Sequence, residues 1–376
     1  MGGKRTPGWE WRIDNARPQP SRTRTQSLPR KRRLRARYHL AGDTGFGRGL
    51  PTTHRQWRRC TVSIVIAPAP AEQIKLHNAS PSFFGLVRGE FLKVMRQWST
   101  WILLILLVGA NVLPYIIETV RPRFKELIVS APLTVYYDQM SIGLSVLRVF
   151  TGFFLLIVTA RMVSQEYQLG TIRVLLSRGV GRLQLLFAKL TTMAIIAIIL
   201  LIVGILFNLL LTILLIAGVA GNLNSFSSLT SQFWSDSGVY VLSILLNMGV
   251  SILLATTAAV IGRASVFGIS AALAFFPLDN FGTVIMLLAN RVTGSDFWLS
   301  ITAYFLGPNL NQMPIALTNN LKVLSIGFGP LYATDPANVG HGILVDGTHT
   351  LVVAAVYAAI FAAAAIWLTW KRDVKE

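Results

Sequence analysis

The chain has little charge and almost no cysteine. Only 14% of its 376 residues are Asp, Glu, Lys or Arg, against ~25% in a typical soluble domain. Cys60 is the only cysteine, so no disulfide can form within the chain and no cysteine-based metal site can assemble. Segments outside the apolar regions must therefore be held by packing alone. The chain also lacks His-Glu-x-x-His, Gly-x-Ser-x-Gly and Gly-x-x-x-x-Gly-Lys-Ser/Thr. It carries no zinc-binding helix motif, no nucleophile elbow and no loop of the kind that cradles ATP phosphates.

Hydrophobic residues make up 53% of the chain, and they are bunched. A run of ~20 apolar residues crosses ~30 Å of hydrocarbon, and only a helix satisfies its own backbone there. Runs of this kind occupy about residues 101–117, 142–160, 190–220, 239–261, 265–289 and 350–370. The expected fold is an all-α membrane protein with about six transmembrane helices between residues 99 and 370. The spans hold too few titratable groups for acid–base catalysis, so the chain is not expected to be an enzyme. The third run would reach ~45 Å at 1.5 Å per residue, so it should tilt or project beyond the bilayer. The fifth is interrupted by Pro277-Leu278-Asp279-Asn280. A break is expected there, with Asp279 capping a second half-helix, Phe281–Leu288.

Positive charge is concentrated at the start. Residues 1–75 hold 17 Lys/Arg and 4 Asp/Glu, a net +13 out of +19. Residues 1–80, which include Arg30-Lys31-Arg32-Arg33, cannot bury a core and are expected to be disordered. A solvated extension, or a start assigned too early, is preferred to a tail that binds anionic lipid or nucleic acid. Nucleic acid is not an expected partner; membrane lipid is. Phe83–Trp98 reads as an amphipathic interfacial helix. Phe84, Val87, Phe91, Val94, Met95 and Trp98 form its apolar stripe, and Glu90 and Lys93 lie on the opposite arc. Counting Lys/Arg in the short connections gives 12 on the side of this helix and 5 on the other. That imbalance places both termini, including the tail 371–376, in the cytoplasm.

The connection between the second and third runs is the most informative stretch. Gly170 should break the helix leaving the second span. Thr171 can cap a short helix from Ile172 to Ser177, and Gly179 and Gly181 permit a turn into the third span. A short helix parallel to the membrane and flanked by charge can dock into a partner's cleft. Its sequence resembles the coupling loop of type-2 ABC exporter permeases. The matching residues are Glu166, Tyr167, Gly170, Thr171, Leu175, Leu176, Arg178, Arg182, Lys189 and Leu190, with Ser164 less direct and Gly179 standing where the family has proline. The resemblance covers about residues 83–376. It implies that this chain binds no cofactor itself and that ATP and Mg are bound by a separate cytoplasmic ABC ATPase. It also implies a second permease copy or a related permease, a transported substrate that the sequence does not identify, and a location in the cell membrane. The loop carrying Glu166, Tyr167, Gly170, Thr171, Arg178 and Arg182 would couple the two proteins.

Three of the polar residues inside the spans are candidate sites. Arg148 is an intramembrane cation near the outer end of the second span, either a functional group or one that snorkels to the outer headgroups. Asp279, with Asn280, sits at the expected break of the fifth span, where a broken helix can expose backbone to a cavity or substrate path, although the capping role is preferred. Asn208 is expected to make an interhelical hydrogen bond. Ala354, Ala358 and Ala362 form a small-residue stripe on the sixth span, suited to close approach within the chain or across a dimer. The outer stretch 291–349 should hold short helices that close the path outside. His341, His349, Asp335 and Asp346 fall in it without the spacing of a metal site. A stand-alone secondary transporter or channel, or a non-transporting membrane anchor, is the alternative class.

Overall fold

A computed structural model describes residues 82–318, 320, 322–330 and 343–371. The basic stretch 1–80, with Cys60, lies outside the described residues, as do Asp335, His341 and the tail 372–376. Eleven α-helices run through the described part, and no strand occurs among these residues. Six of the helices are long and apolar enough to cross a membrane.

α1 (Phe83–Met95) precedes the first of them, α2 (Trp98–Thr119). A short α3 (Phe124–Ser130) leads into α4 (Pro132–Gln168). α5 (Thr171–Ser177) is a single short helix before α6 (Arg182–Ala220), which Gly221 ends in a left-handed conformation at φ 73°. α7 (Ser231–Gly262) turns tightly into α8 (Ser265–Thr293). α9 (Phe297–Ile301) and α10 (Leu306–Thr318) fill the long connection to α11 (Gly347–Lys371). At 1.5 Å per residue, α4 and α6 would measure about 55 and 58 Å. Both therefore outrun the hydrocarbon and carry their ends, with α5 between them, beyond it.

α4 and α7 form the centre of the bundle. In each, 67% of the most apolar window is buried inside the protein, whereas in α8 and α11 the share is 11% and 17%. The outer helices therefore turn apolar side chains such as Val266, Leu278, Phe281, Ile285, Val352 and Ile360 outward, which hydrocarbon or another helix must cover. The main core joins Leu147, Leu155 and Val158 of α4 to Met193 and Ala197 of α6 and to Tyr240, Ile244 and Met248 of α7. Gly204 of α6 lies against Leu147 so closely that a Cβ there would meet its side chain at 2.5 Å.

Several local expectations are corrected. α1 stops at Met95, and Trp98 already belongs to α2. Its buried face is Val87, Glu90 and Val94, while Phe84 and Trp98 point outward. Glu90 is drawn inward by two cations, Lys93 and Lys189. α8 runs unbroken through Pro277. A proline costs one backbone hydrogen bond and a local clash, and here the helix continues past both. Asp279 therefore caps no second half-helix. Thr171 is the first residue of α5 rather than its cap; Gly170 occupies the cap position.

Candidate functional site

Gly170 adopts φ +67°, and a Cβ built on it would meet nothing within 4 Å. The demand for glycine is therefore conformational, since the left-handed region costs a side chain ~1–2 kcal/mol. Gly179, at φ +82°, makes the second corner in the same way. Between these corners Ile172 turns inward and packs with Val180 and Leu185, next to Leu86 of α1 and Tyr167 of α4. The other face is open: Leu169, Arg173, Val174, Ser177 and Arg178 are exposed, with Leu169 at 70% and Val174 at 52%. Val174 and the two arginines thus lie on the free surface of a helix pinned from beneath, with Leu169 exposed at the corner before it. Thr171 and Gly170 lie on this exposed side as well. Tyr167 and Arg182 are half-buried and anchor the ends of the element.

Glu166 does not lie on that surface. It turns inward, 7% exposed, into a cluster of four charges from three helices. Lys189 Nζ of α6 lies 2.8 Å from Glu90 Oε2 and 3.1 Å from Glu166 Oε1. Lys93 Nζ lies 2.5 Å from Glu90 Oε1 and 2.9 Å from Glu166 Oε1. Lys189 also donates to the Met162 carbonyl at 3.0 Å. Burial alone would raise the Glu90 carboxyl, but Lys189, with Lys93, outweighs it and holds the group below the ordinary carboxylate value. Burial alone would lower Lys93, but Glu90 and Glu166 hold its ammonium above the ordinary value. The second Glu166 oxygen, Oε2, is buried without a partner. The cluster ties α1, α4 and α6 together immediately behind α5. Gln97 to Gln165 at 3.1 Å and Arg161 to Ser99 at 2.7 Å add further ties between α4 and the α1–α2 corner.

A second polar centre lies deeper. Arg148 is 2% exposed, and its guanidinium turns into the bundle rather than outward. It donates to the carbonyls of Leu310 at 2.5 Å and Ile326 at 2.9 Å, to Asn311 Oδ1 at 3.1 Å and to Ser325 Oγ at 2.9 Å. The acceptors come from α10 and from residues 322–330, a non-helical segment laid along α4. Ser141 and Ser145 of α4 accept from the backbone N–H groups of Leu324 and Ile326 at 3.1 and 3.3 Å. Asp236 of α7 accepts from Tyr137 and Asn320, both at 2.7 Å. Tyr137, Ser141, Ser145 and Arg148 are spaced four, four and three apart, which makes one face of a helix. Non-helical backbone is tolerated at membrane depth only where protein supplies its hydrogen bonds, and this face supplies them. Asp279 accepts from the Gly307 N–H, so it satisfies the start of α10 instead of its own helix.

Asn208 makes the interhelical bonds expected of it. Its amide donates to Asn111 Oδ1 at 3.1 Å, and its oxygen accepts from Tyr115 Oη at 3.1 Å, both in α2. Gly143 of α4 admits the pair: a Cβ there would meet Asn208 Oδ1 at 2.6 Å and Tyr115 Oη at 2.7 Å. On α11, Ala354 packs on α10 while Ala355, Ala359 and Ala363 face outward. Asp346 Oδ1 accepts from the His349 N–H at 2.7 Å, a helix-start cap, and the His349 ring nitrogen lies 2.8 Å from the Ala303 carbonyl.

Sequence reasoning missed Glu90 and Lys93 as partners of Glu166 and Lys189, and missed the polar face that ends in Arg148. The spacing of Tyr137, Ser141, Ser145 and Arg148 was the available signal for the second. For the first there was only the position of Glu90, three residues after Val87 and four before Val94, on the stripe those two define. A family model described as ABC-2 family transporter protein matches residues 86–276, from α1 to the middle of α8. No curated protein matches the chain, and no solved structure does.

Proposed function

The chain belongs to the ABC-2 family of transporter proteins, and from that premise we propose that it is the membrane-spanning permease subunit of an ATP-driven exporter. ATP and Mg would be bound by a separate cytoplasmic ABC ATPase, docked on α5. A second copy of this chain, or a related permease, would complete the translocation unit. The cell membrane is the proposed location, with both termini in the cytoplasm. The excess of Lys and Arg at the α5 end of the bundle supports that orientation.

The observation that carries this reading is the build of α5. Its outer face offers Val174 between Arg173 and Arg178, with Leu169 exposed at the end of α4 just before it, while its inner face is packed through Ile172 against Tyr167 and Leu86. A partner pressing on such a helix moves the ends of α4 and α6 together, because Glu90, Lys93, Glu166 and Lys189 lock those ends to α1. Glu166 then acts as a positioning residue behind the docking surface. ATP binding in the partner can shift the permease between its two openings only by as much as the partner's affinities for them differ. The docking face is where that difference would be expressed.

The test is to purify the tagged full-length chain from its host in mild detergent and identify what accompanies it by mass spectrometry. A near-stoichiometric Walker-motif ATPase, lost in Val174→Asp and retained in Thr171→Ala, is the expected result. A folded chain that emerges with no ATPase points instead to a stand-alone transporter or an anchor.

A further inference from the structure

A cavity of about 320 Å³ opens beside Arg148, between α4, α7, α8 and the α10 end. Its volume falls within the range of small-molecule sites. Most of its wall is apolar, from residues such as Phe153, Leu156, Phe276 and Phe281. Three features of it are polar. Arg148 lies in the wall, fully buried, and all its hydrogen-bond acceptors are neutral; among the described residues no carboxylate pairs with it. Ser251 Oγ lines the same cavity, buried at 0% exposure and without a hydrogen-bond partner. The Asn247 amide stands next to it, reaching only the Arg148 carbonyl at 3.5 Å. Gly152 keeps the space open, because a Cβ there would approach Asn247 Nδ2 at 3.4 Å and Ser251 Oγ at 3.8 Å.

A cation inside hydrocarbon is expensive, and neutral acceptors solvate it without cancelling its charge. A free hydroxyl and an amide donor facing the same space complete a set suited to an oxyanion. We propose that this cavity binds an amphipathic anion, with a phosphate or carboxylate group held by Arg148, Asn247 and Ser251 and its apolar body against the phenylalanines. That this ligand is the cargo rests on the permease reading; that it binds does not.

The probe is radiolabelled dodecyl phosphate, which stays ionised at neutral pH, with dodecanol as the uncharged control. Full-length protein is placed in nanodiscs of phosphatidylcholine. Saturable binding at one site per chain is expected, with dodecanol about tenfold weaker or more. Ser251→Ala should weaken the phosphate several-fold, and Gly152→Leu, which fills the cavity, about tenfold or more. Arg148→Gln should abolish the preference for phosphate over alcohol. Arg148 also holds α10, so if that variant fails to fold, the other two decide. Phosphatidylglycerol added to the disc displaces the probe if the natural ligand is a lipid headgroup and leaves it bound if the ligand is a free amphiphile; either result keeps the site. No saturable binding by the wild type, equal binding of the alcohol, or full binding by Gly152→Leu overturns the proposal. No ATPase is present in this assay, so its failure leaves the permease reading standing, and loss of that reading leaves the site standing.

Discussion

Lys189 Nζ lies 2.8 Å from Glu90 Oε2 across 99 residues of chain, with side-chain exposures of 5% and 3%. This pair joins the interfacial helix to the start of the third span, and Glu166 joins the end of the second span to both. Removing one partner from a buried pair strands the other charge, which costs more than the pair contributes. Lys189→Met should therefore destabilise the protein by about 3 kcal/mol or more. Glu166→Gln should cost about 1–2 kcal/mol, because Lys189 keeps Glu90. Lys93→Met should cost less than about 1 kcal/mol, since that side chain is half exposed. Thermal unfolding of the purified variants checks the order, and a Lys93 variant as damaged as the Lys189 variant contradicts it.

The same cluster sets an acid limit. The folded pKa of Glu90 lies below its ordinary value of 4.5, so the contribution of this group is complete above that value and fades as pH falls through the lowered one. Lys93 is raised above 10.5; its contribution is complete below that value and is lost as pH rises through the folded pKa. The unfolding midpoint should be flat between these limits and fall on the acid side, with a shallower acid slope in Glu90→Gln. An unchanged slope in that variant would remove Glu90 from the account.

Gly170→Ala should reduce transport while leaving insertion intact, because the left-handed corner strains by ~1–2 kcal/mol although the space beside it is empty. Thr171→Ala should be silent, since Thr171 caps nothing. The pair of variants, compared in vesicle export, separates corner geometry from mere sequence matching. A Thr171→Ala defect equal to that of Gly170→Ala would count against the corner argument.

Much of this was legible in the chain, for a physical reason. A helix that crosses lipid needs a stretch of about 20 predominantly apolar residues, so the six long helices announce themselves locally. Their ends do not: α4 and α6 extend past their apolar windows because polar turns outside the hydrocarbon carry no such constraint. The turn at Gly170 was readable because glycine marks left-handed backbone. Pro277 misled, because a proline that reads as a break was absorbed within a continuous α8. Glu90 misled because amphipathic counting assumes charge faces water, and here it is paired with Lys93 and with the distant Lys189. The segment 322–330 has no period at all; its place is set by Ser141, Ser145 and Arg148 on α4.

Gly143→Ala should loosen the join between α2, α4 and α6. Its new methyl would overlap Asn208 Oδ1 and Tyr115 Oη, and interhelical hydrogen bonds in membranes are worth ~0.6–1.7 kcal/mol. Asn208→Leu alone should cost about that much. The double variant should cost less than the sum of the two, because the methyl clashes with the side chain the second change removes. Strictly additive unfolding energies would contradict the contact.

The central claim is that the outer face of α5 meets an ATPase. A photo-crosslinking amino acid at Val174, exposed at 52%, tests it directly, with Val129, exposed at 78% on α3 at the other end of the bundle, as the control. The account predicts an adduct from Val174, and not from Val129, to a polypeptide carrying Gly-x-x-x-x-Gly-Lys-Ser/Thr. No adduct at Val174 in a protein that inserts and folds would contradict it.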